Sequence, residues 1–166
     1  MRTVLRLILW IAAIAVVLLG TAIWWYVYRP LPQLDGSLVL PGLHAEVTVE
    51  RDNWGVPHIR ANSAEDLAEA QGYVLAQDRL WQMDLLRRVA RGQLSEVLGP
   101  ATLKIDKDFR KLNFSRAAET DWAMMNPEAR TILEAYARGV NQFIEQHPRH
   151  LPIEFTLLNY KPQPWR

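Results

Sequence analysis

The sequence predicts an α+β chain, with one apolar N-terminal helix and then a mainly helical region that opens on a short β-hairpin. Three observations carry this reading. Residues 7–28 hold no charge. Residues 44–51 alternate apolar and polar side chains and run into an Asp-Asn-Trp-Gly turn. Residues 63–91 and 127–147 repeat apolar side chains at spacings of three and four, the period of an amphipathic helix.

The apolar run reads LILWIAAIAVVLLGTAIWWYVY. At about 1.5 Å per residue it reaches roughly 33 Å, enough for a hydrocarbon core of about 30 Å. Arg2 and Arg6 precede it, which favours a cytoplasmic N-terminus and export of the rest, to the periplasm in a bacterium. Trp24, Trp25, Tyr26 and Tyr28 gather at the far end, where aromatic rings prefer the membrane interface. A cleaved signal peptide with Gly20-Thr21-Ala22 at its cleavage site is the competing reading. Cleavage there leaves Ile23-Trp24-Trp25 as an apolar N-terminus, so an uncleaved anchor is favoured. A buried core helix fails, because the run has no polar face.

The expected division is therefore an anchor or signal over 1–29, a proline-rich linker over 30–42 and a folded region over 43–166. Arg29-Pro30-Leu31-Pro32 starts the linker as a semi-extended spacer that lifts the domain off the membrane. In His44–Arg51, Val47 and Val49 alternate with Glu46, Thr48 and Glu50, which predicts a strand with one buried face. Asn53 and Gly55 supply the turn, and Val56–Arg60 returns as the partner strand.

Ser63 is the expected cap of a helix lasting to Arg91, with Glu65 and Asp66 at its positive end. Leu67, Ala70, Val74, Trp81, Leu85 and Val89 form its expected buried stripe. Asp78 falls within that stripe and needs a partner, from Arg79, Arg87 or Arg88 or from elsewhere in the chain. Gly72 in a helix interior costs about 1 kcal/mol, which implies a close neighbour. Gly92 ends the helix, and a turn over Leu94–Leu98 closes at Gly99-Pro100. From Ala101 to Met125 the pattern is helical but weaker, with Leu103, Phe109, Leu112 and Phe114 as apolar contacts. Asn126-Pro127-Glu128 combines cap, proline and acid at a helix start. Leu133, Tyr136, Ala137, Val140, Phe143 and Ile144 then make its stripe. Ile153–Leu158 is a short strand or helical turn, and Lys161–Arg166 is irregular.

Several functions are excluded or disfavoured. With Arg2, Arg6 and Arg29 set aside, the 19 Lys+Arg fall to 16 against 18 Asp+Glu, so no basic face for nucleic acid exists. There is no cysteine, hence no disulfide, thiolate metal site or cysteine nucleophile in these residues. His44, His58, His147 and His150 lack the spacing of a helical zinc pair. Asp106-Lys107-Asp108 lacks the glycine and glutamate of a calcium loop and reads as a solvated face. Asn113-Phe114-Ser115 matches the glycosylation sequon, a weak signal alone. Neither a phosphate loop nor a Gly-x-Ser-x-Gly elbow occurs. The dense polar set Asp78, Arg79, Gln82, Arg87 and Arg88 reads as a structural network joining the helix to the hairpin through charge-assisted hydrogen bonds.

The residues in this region form a connected pattern. Arg51-Asp52 with Gly55-Val56-Pro57-His58-Ile59 and Ala61 resembles the opening of the mature penicillin acylase (penicillin amidase) family. So does Gly72-Tyr73 leading to Ala76-Gln77-Asp78-Arg79-Leu80, then Gln82-Met83, Arg87-Arg88, Gly92, Ser95-Glu96 and Gly99. Tyr136-Ala137, Gly139-Val140-Asn141, Lys161-Pro162 and Trp165 continue it, so the similarity runs from about Glu46 to Arg166.

The resemblance implies a hydrolase acting on carbon–nitrogen bonds other than peptide bonds in linear amides. Its precursor cuts itself into an α and a β chain. The N-terminal serine of the β chain attacks the amide carbonyl with its own α-amino group as base, and an oxyanion hole stabilises the intermediate. The implied fold is a four-layer αββα sandwich, often with a calcium ion. Implied substrates are small acylated amines such as β-lactam antibiotics or acyl-homoserine lactones. The implied partners are the β chain of the same precursor and, through residues 7–28, the membrane. The serine lies beyond residue 166, as do the oxyanion-hole groups and most calcium ligands, so no catalytic, cofactor or metal residue is assigned within Met1–Arg166. The chain resembles the front of an α chain and is expected to be inactive alone. The alternatives are a membrane-tethered helical interaction module, or a degenerate relative kept as a structural partner.

Overall fold

The computed structural model describes residues 2–28, 31, 33–148 and 150–166. The start of the expected linker at Arg29, Pro30 and Pro32 lies outside the described residues. Two compact units are present, residues 1–33 and residues 34–166.

The first unit is α1 (Arg2–Ile23), continued by a π-helical turn over Trp24–Tyr28. Thr3–Tyr28 is long and apolar enough, by length and composition, to cross a membrane. None of its most apolar stretch is buried by protein. The Thr21 hydroxyl donates to the Val17 carbonyl at 2.8 Å, which satisfies it without a partner helix.

The second unit begins with β1 (Thr48–Arg51) and β2 (Pro57–Arg60), an antiparallel hairpin pairing Arg51 with Pro57 and Thr48 with Arg60. Gly55 takes a left-handed φ of 77° to close the turn, and its N–H donates to the Asp52 carbonyl at 2.9 Å. The Asp52 carboxylate accepts the Trp54 and Val56 N–H groups, each at 2.9 Å. The Val56 N–H is the main reason its carboxyl lies below the ordinary range. Two expectations are corrected here. The strand starts at Thr48 rather than His44, because Asp66 captures the His44 backbone. Val49 is 40% exposed, so the expected buried face is only half covered.

Helix α2 (Ala64–Arg91) follows, capped as expected by Ser63, whose hydroxyl accepts the Asp66 N–H at 3.0 Å. Gly92 ends it in the left-handed conformation. Its helical geometry breaks once, at Arg79 (φ −151°, ψ 32°). The segments α3 (Ser95–Leu98), α4 (Leu103–Leu112) and α5 (Phe114–Met124) lead to α6 (Pro127–Gln146) and the short α7 (Ile153–Leu157). Asn126 caps α6 by accepting the Ala129 N–H at 2.7 Å.

The core is the α2–α6 interface closed by α7. Tyr73, Ala76 and Leu80 meet Val140, Phe143 and Phe155. Tyr73 meets Phe143 edge-on at 5.6 Å, and Trp81 meets Phe155 edge-on at 5.7 Å. Two glycines set how near the helices come. A Cβ on Gly72 would overlap the Tyr136 carbonyl oxygen, and one on Gly139 would overlap the Glu69 carbonyl oxygen. The close neighbour expected at Gly72 is therefore the backbone of α6.

The buried stripe of α2 differs from the expected one. Ala70 and Val74 are buried, but Leu67 is 40% exposed. The side chains α2 buries include Glu69, Tyr73, Ala76, Leu80, Asp84 and Arg88. Three of those six are charged, which is why an apolar pattern missed them. On α6 the buried residues are Ala135, Gly139, Val140 and Phe143, whereas Leu133 is 47% exposed. Leu103, Leu112 and Phe114 are exposed too, and α5 buries no side chain.

Candidate functional site

Helix α2 is the hub of three polar clusters. At its N-terminal end, the buried Asp66 accepts the His44 N–H at 2.9 Å and lies 3.1 Å from His44 Nδ1. The His44 N–H is the main cause of an Asp66 carboxyl held below the ordinary range. One turn on, the fully buried Glu69 accepts from Arg138 Nε (3.1 Å) and Gln142 Nε2 (2.9 Å). Arg138 also donates to Glu65 at 2.6 Å. Gly42 lies against the Glu69 carboxylate with no room for a Cβ. Gln146 donates to the Val39 carbonyl at 3.3 Å, and Leu40 packs on the core. Residues 39–44 are thus docked on α2 and α6, which corrects the spacer expected through Gly42.

At the middle of α2, Arg51 donates to both Asp78 oxygens, at 2.8 and 3.0 Å, and to the Gly55 carbonyl at 3.0 Å. This bidentate pair ties the hairpin to the helix just before the break at Arg79. Asp78 takes its partner from the hairpin, not from Arg79, Arg87 or Arg88.

At the C-terminal end, fully buried Asp84 is the centre. It accepts from Arg87 Nη2 (2.5 Å), Arg88 Nε (2.9 Å) and the Tyr160 hydroxyl (2.9 Å). Burial first, then Asp84, pushes the Tyr160 phenol far above its ordinary value. Arg88 reaches on to Glu96 at 3.2 Å. Arg87 donates to the Gln163 and Pro164 carbonyls and stacks 4.6 Å over the Trp165 ring. Asn141 of α6 grips Trp165 twice, accepting its N–H at 2.8 Å and donating to its carbonyl at 2.9 Å. The irregular end of the chain is thereby held by side chains where no ladder exists.

The expected polar set therefore divides. Asp78 joins the hairpin, Arg87 and Arg88 join the C-terminal segment, and Arg79 and Gln82 are exposed. Asp84 and Glu69 were missed, since a lone acid in an apolar stripe gives no sign of which arginine meets it; Asp66, expected at the helix start, also holds His44. Asp106, expected on a solvated face, is buried. It accepts the Leu94 and Ser95 N–H groups and the Ser95 hydroxyl, at 2.7, 2.8 and 2.5 Å. Burial alone would raise its carboxyl, but those three donors together hold it below the ordinary value.

The Asp66 and Asp106 shifts predict acid sensitivity. Their folded values lie below the ordinary 3.8. The stability they confer is complete above that value and is lost as pH falls through the lower folded values. Urea midpoints should fall between pH 6 and pH 3, and Asp106→Asn should remove part of that difference. A flat profile would refute this.

These carboxylates do not make a calcium site. Glu65 and Glu69 face Arg138, Asp84 faces two arginines, and Asp106 caps a turn. Among the described residues no cluster of three or more His, Asp or Glu is arranged to hold a metal ion. What the clusters do chemically is orient segments: the hairpin, residues 39–44 and residues 160–165 are each fixed to α2 by charge-assisted bonds.

Comparison with known proteins places this scaffold. The penicillin amidase family description matches residues 46–166. The chain is 45% identical over 135 residues to a penicillin acylase 2 proenzyme of Pseudomonas sp. strain SE83, covering 81% of this chain and 17% of that protein. It is 37% identical over 136 residues to an acyl-homoserine lactone acylase of Pseudomonas aeruginosa, covering 82% of this chain and 16% of that one. A solved structure of the thermostable penicillin G acylase from Alcaligenes faecalis superposes with a TM-score of 0.66 at 37% identity, over 72% of this chain and 65% of that chain. The chain thus spans about a sixth of the length of these curated relatives. Arg51 with Asp78, Gly72 and Gly139 at the helix contact, and Arg87 and Asn141 on the last residues, all within the matched range, hold the fold together. This chain belongs to the penicillin amidase family.

Proposed function

We propose that this chain is the N-terminal part of an exported, membrane-tethered amide hydrolase precursor of the acylase type. The observation that carries the proposal is its 45% identity to a proenzyme of which it spans 17%. Surface chemistry supports it. Leu98, Leu103, Ile105, Leu112, Phe114 and Met124 are all exposed along α3–α5. Further polypeptide covering that surface accounts for it, and a layered sandwich with the hairpin in one sheet is the arrangement we favour.

On this reading a downstream segment, released by self-cleavage, begins with the nucleophilic serine. Its hydroxyl attacks the amide carbonyl while its α-amino group takes the proton, and preorganised donors stabilise the oxyanion. The leaving group is a small amine, such as a β-lactam nucleus or homoserine lactone. The present residues contribute scaffold: α2 and its clusters position the chain that continues into the pocket. α1 acts as the tether, and any calcium ion is held by residues outside this chain.

The test is to express the whole gene and assay membrane and soluble fractions for release of amine from penicillin G and from an acyl-homoserine lactone. Two chains with activity in the membrane fraction are expected, and none from the purified 166-residue chain. Turnover by the 166-residue chain, or a single inactive polypeptide from the whole gene, would defeat the proposal.

A further inference from the structure

Helix α7 and the segments on either side of it enclose a cleft of about 290 Å³. Its lining is of two kinds. Pro148, Leu151, Phe155 and Tyr160 are apolar or aromatic, whereas Thr156, Asn159 and Lys161 are polar and exposed.

The chain gathers these residues by doubling back after α7. The Leu158 N–H donates to the Glu154 carbonyl at 2.9 Å, the Asn159 N–H to the Thr156 carbonyl at 3.2 Å, and the Tyr160 N–H to the Phe155 carbonyl at 3.1 Å. Asn159 takes a left-handed φ of 51° at this turn, a conformation asparagine tolerates better than most residues. Phe155 is buried and lies 5.1 Å from the Tyr160 ring, whose hydroxyl is anchored on Asp84. The aromatic walls are therefore set before any ligand arrives, which lowers the ordering cost of binding.

The polar lining carries a single charge. Lys161 is the one charged residue among those lining the cleft, and it makes no ion pair among the described residues. An ammonium, an amide N–H and a hydroxyl can all donate to one acceptor group, so this part of the cleft suits a monoanion. A phosphate monoester brings nearly two charges at neutral pH and meets only one cation. The rings of Phe155 and Tyr160 suit a flat apolar body. Ligand clefts run from about 300 to 1,000 Å³, so the ligand is small.

We infer that this cleft binds a small monocarboxylate with an apolar, preferably aromatic, tail. The carboxylate meets Lys161, Thr156 and Asn159, and the tail rests against Leu151 and Phe155. Every lining residue lies between Pro148 and Lys161, so the inference stands apart from the precursor reading above.

Titration of the full-length protein in mild detergent tests this, with the leucine and threonine methyl groups isotope-labelled and followed by NMR. Phenylacetate, phenethyl alcohol and phenethylamine serve as probes of one size that differ in charge. Phenylacetate should move the Leu151 and Thr156 methyl signals saturably, with a Kd below about 10 mM. The amine should bind at least about 5-fold more weakly, the scale of a partly exposed charge contact. Lys161→Met, at an exposed position, should weaken phenylacetate binding by a similar factor. No saturable movement, equal binding of the three probes, or a cleft already filled by residues beyond 166 would overturn the inference. A processed, active protein without movement at Leu151 and Thr156 would overturn the cleft alone. A gene that ends at Arg166 would overturn the precursor reading alone, and the same titration on that chain would still decide the cleft.

Discussion

Asp84→Ala is expected to be among the most damaging single substitutions in this chain, costing about 3–5 kcal/mol, the usual loss when one member of a buried ion pair is removed. Asp84 is fully buried and accepts from Arg87, Arg88 and Tyr160 at once. Without it two guanidinium groups share a buried site with no carboxylate between them, and the phenol loses its acceptor. The damage should spread, because Arg87 also holds the Gln163 and Pro164 carbonyls. With a urea slope of about 2 kcal/mol/M, the midpoint should drop by about 2 M. Asp84→Asn keeps an acceptor for Tyr160 but not the charge, and should fall between wild type and Asp84→Ala. Denaturation in mild detergent, which keeps α1 soluble, measures all three. A loss below about 1 kcal/mol for Asp84→Ala would mean the cluster is a surface feature.

Gly139→Ala sets two effects of opposite sign against each other. Helix propensity favours alanine by about 1 kcal/mol. Packing opposes it, because the methyl group would overlap the Glu69 carbonyl oxygen and crowd the Tyr73 nitrogen. Those atoms belong to the α2 backbone and cannot rotate aside, so the helices must separate and loosen Tyr73 against Phe143. Overpacking of this kind costs about 3 kcal/mol, so the net change should be a loss of about 2 kcal/mol. The sign alone is diagnostic. A Gly139→Ala chain with a raised urea midpoint would show that α2 and α6 do not meet at that glycine.

Both substitutions lie on features that are local in sequence yet have their meaning elsewhere in the fold. Gly72 in a helical run announced a close neighbour without saying which. Asp84 looked like one more acid on a charged helix, and nothing near it indicated Tyr160, which lies 76 residues away. Asp106 looked solvated for the same reason, since its donors are backbone N–H groups of Leu94 and Ser95 that only a folded turn brings to it. The stripe on α2 was misplaced because Leu67, an apolar residue, remains exposed while Glu69, Asp84 and Arg88 are inside. Periodicity counts apolar side chains, and this helix buries charge in compensated clusters.

From the sequence by itself came whatever depends on neighbours a few residues apart. The apolar span over 7–28, the Ser63 and Asn126 caps, the Gly92 stop, the Gly55 turn and the hairpin follow from backbone geometry and short-range hydrogen bonds. The spaced residues from Arg51 to Trp165 also showed the family. Tertiary structure alone decided which charges are buried, which carbonyls the arginines hold and how residues 39–44 dock. The physical reason is the same in each case. A buried carboxylate is tolerated only opposite donors that satisfy it, and here those donors sit up to 76 residues away, at positions set by the packing of α2 against α6.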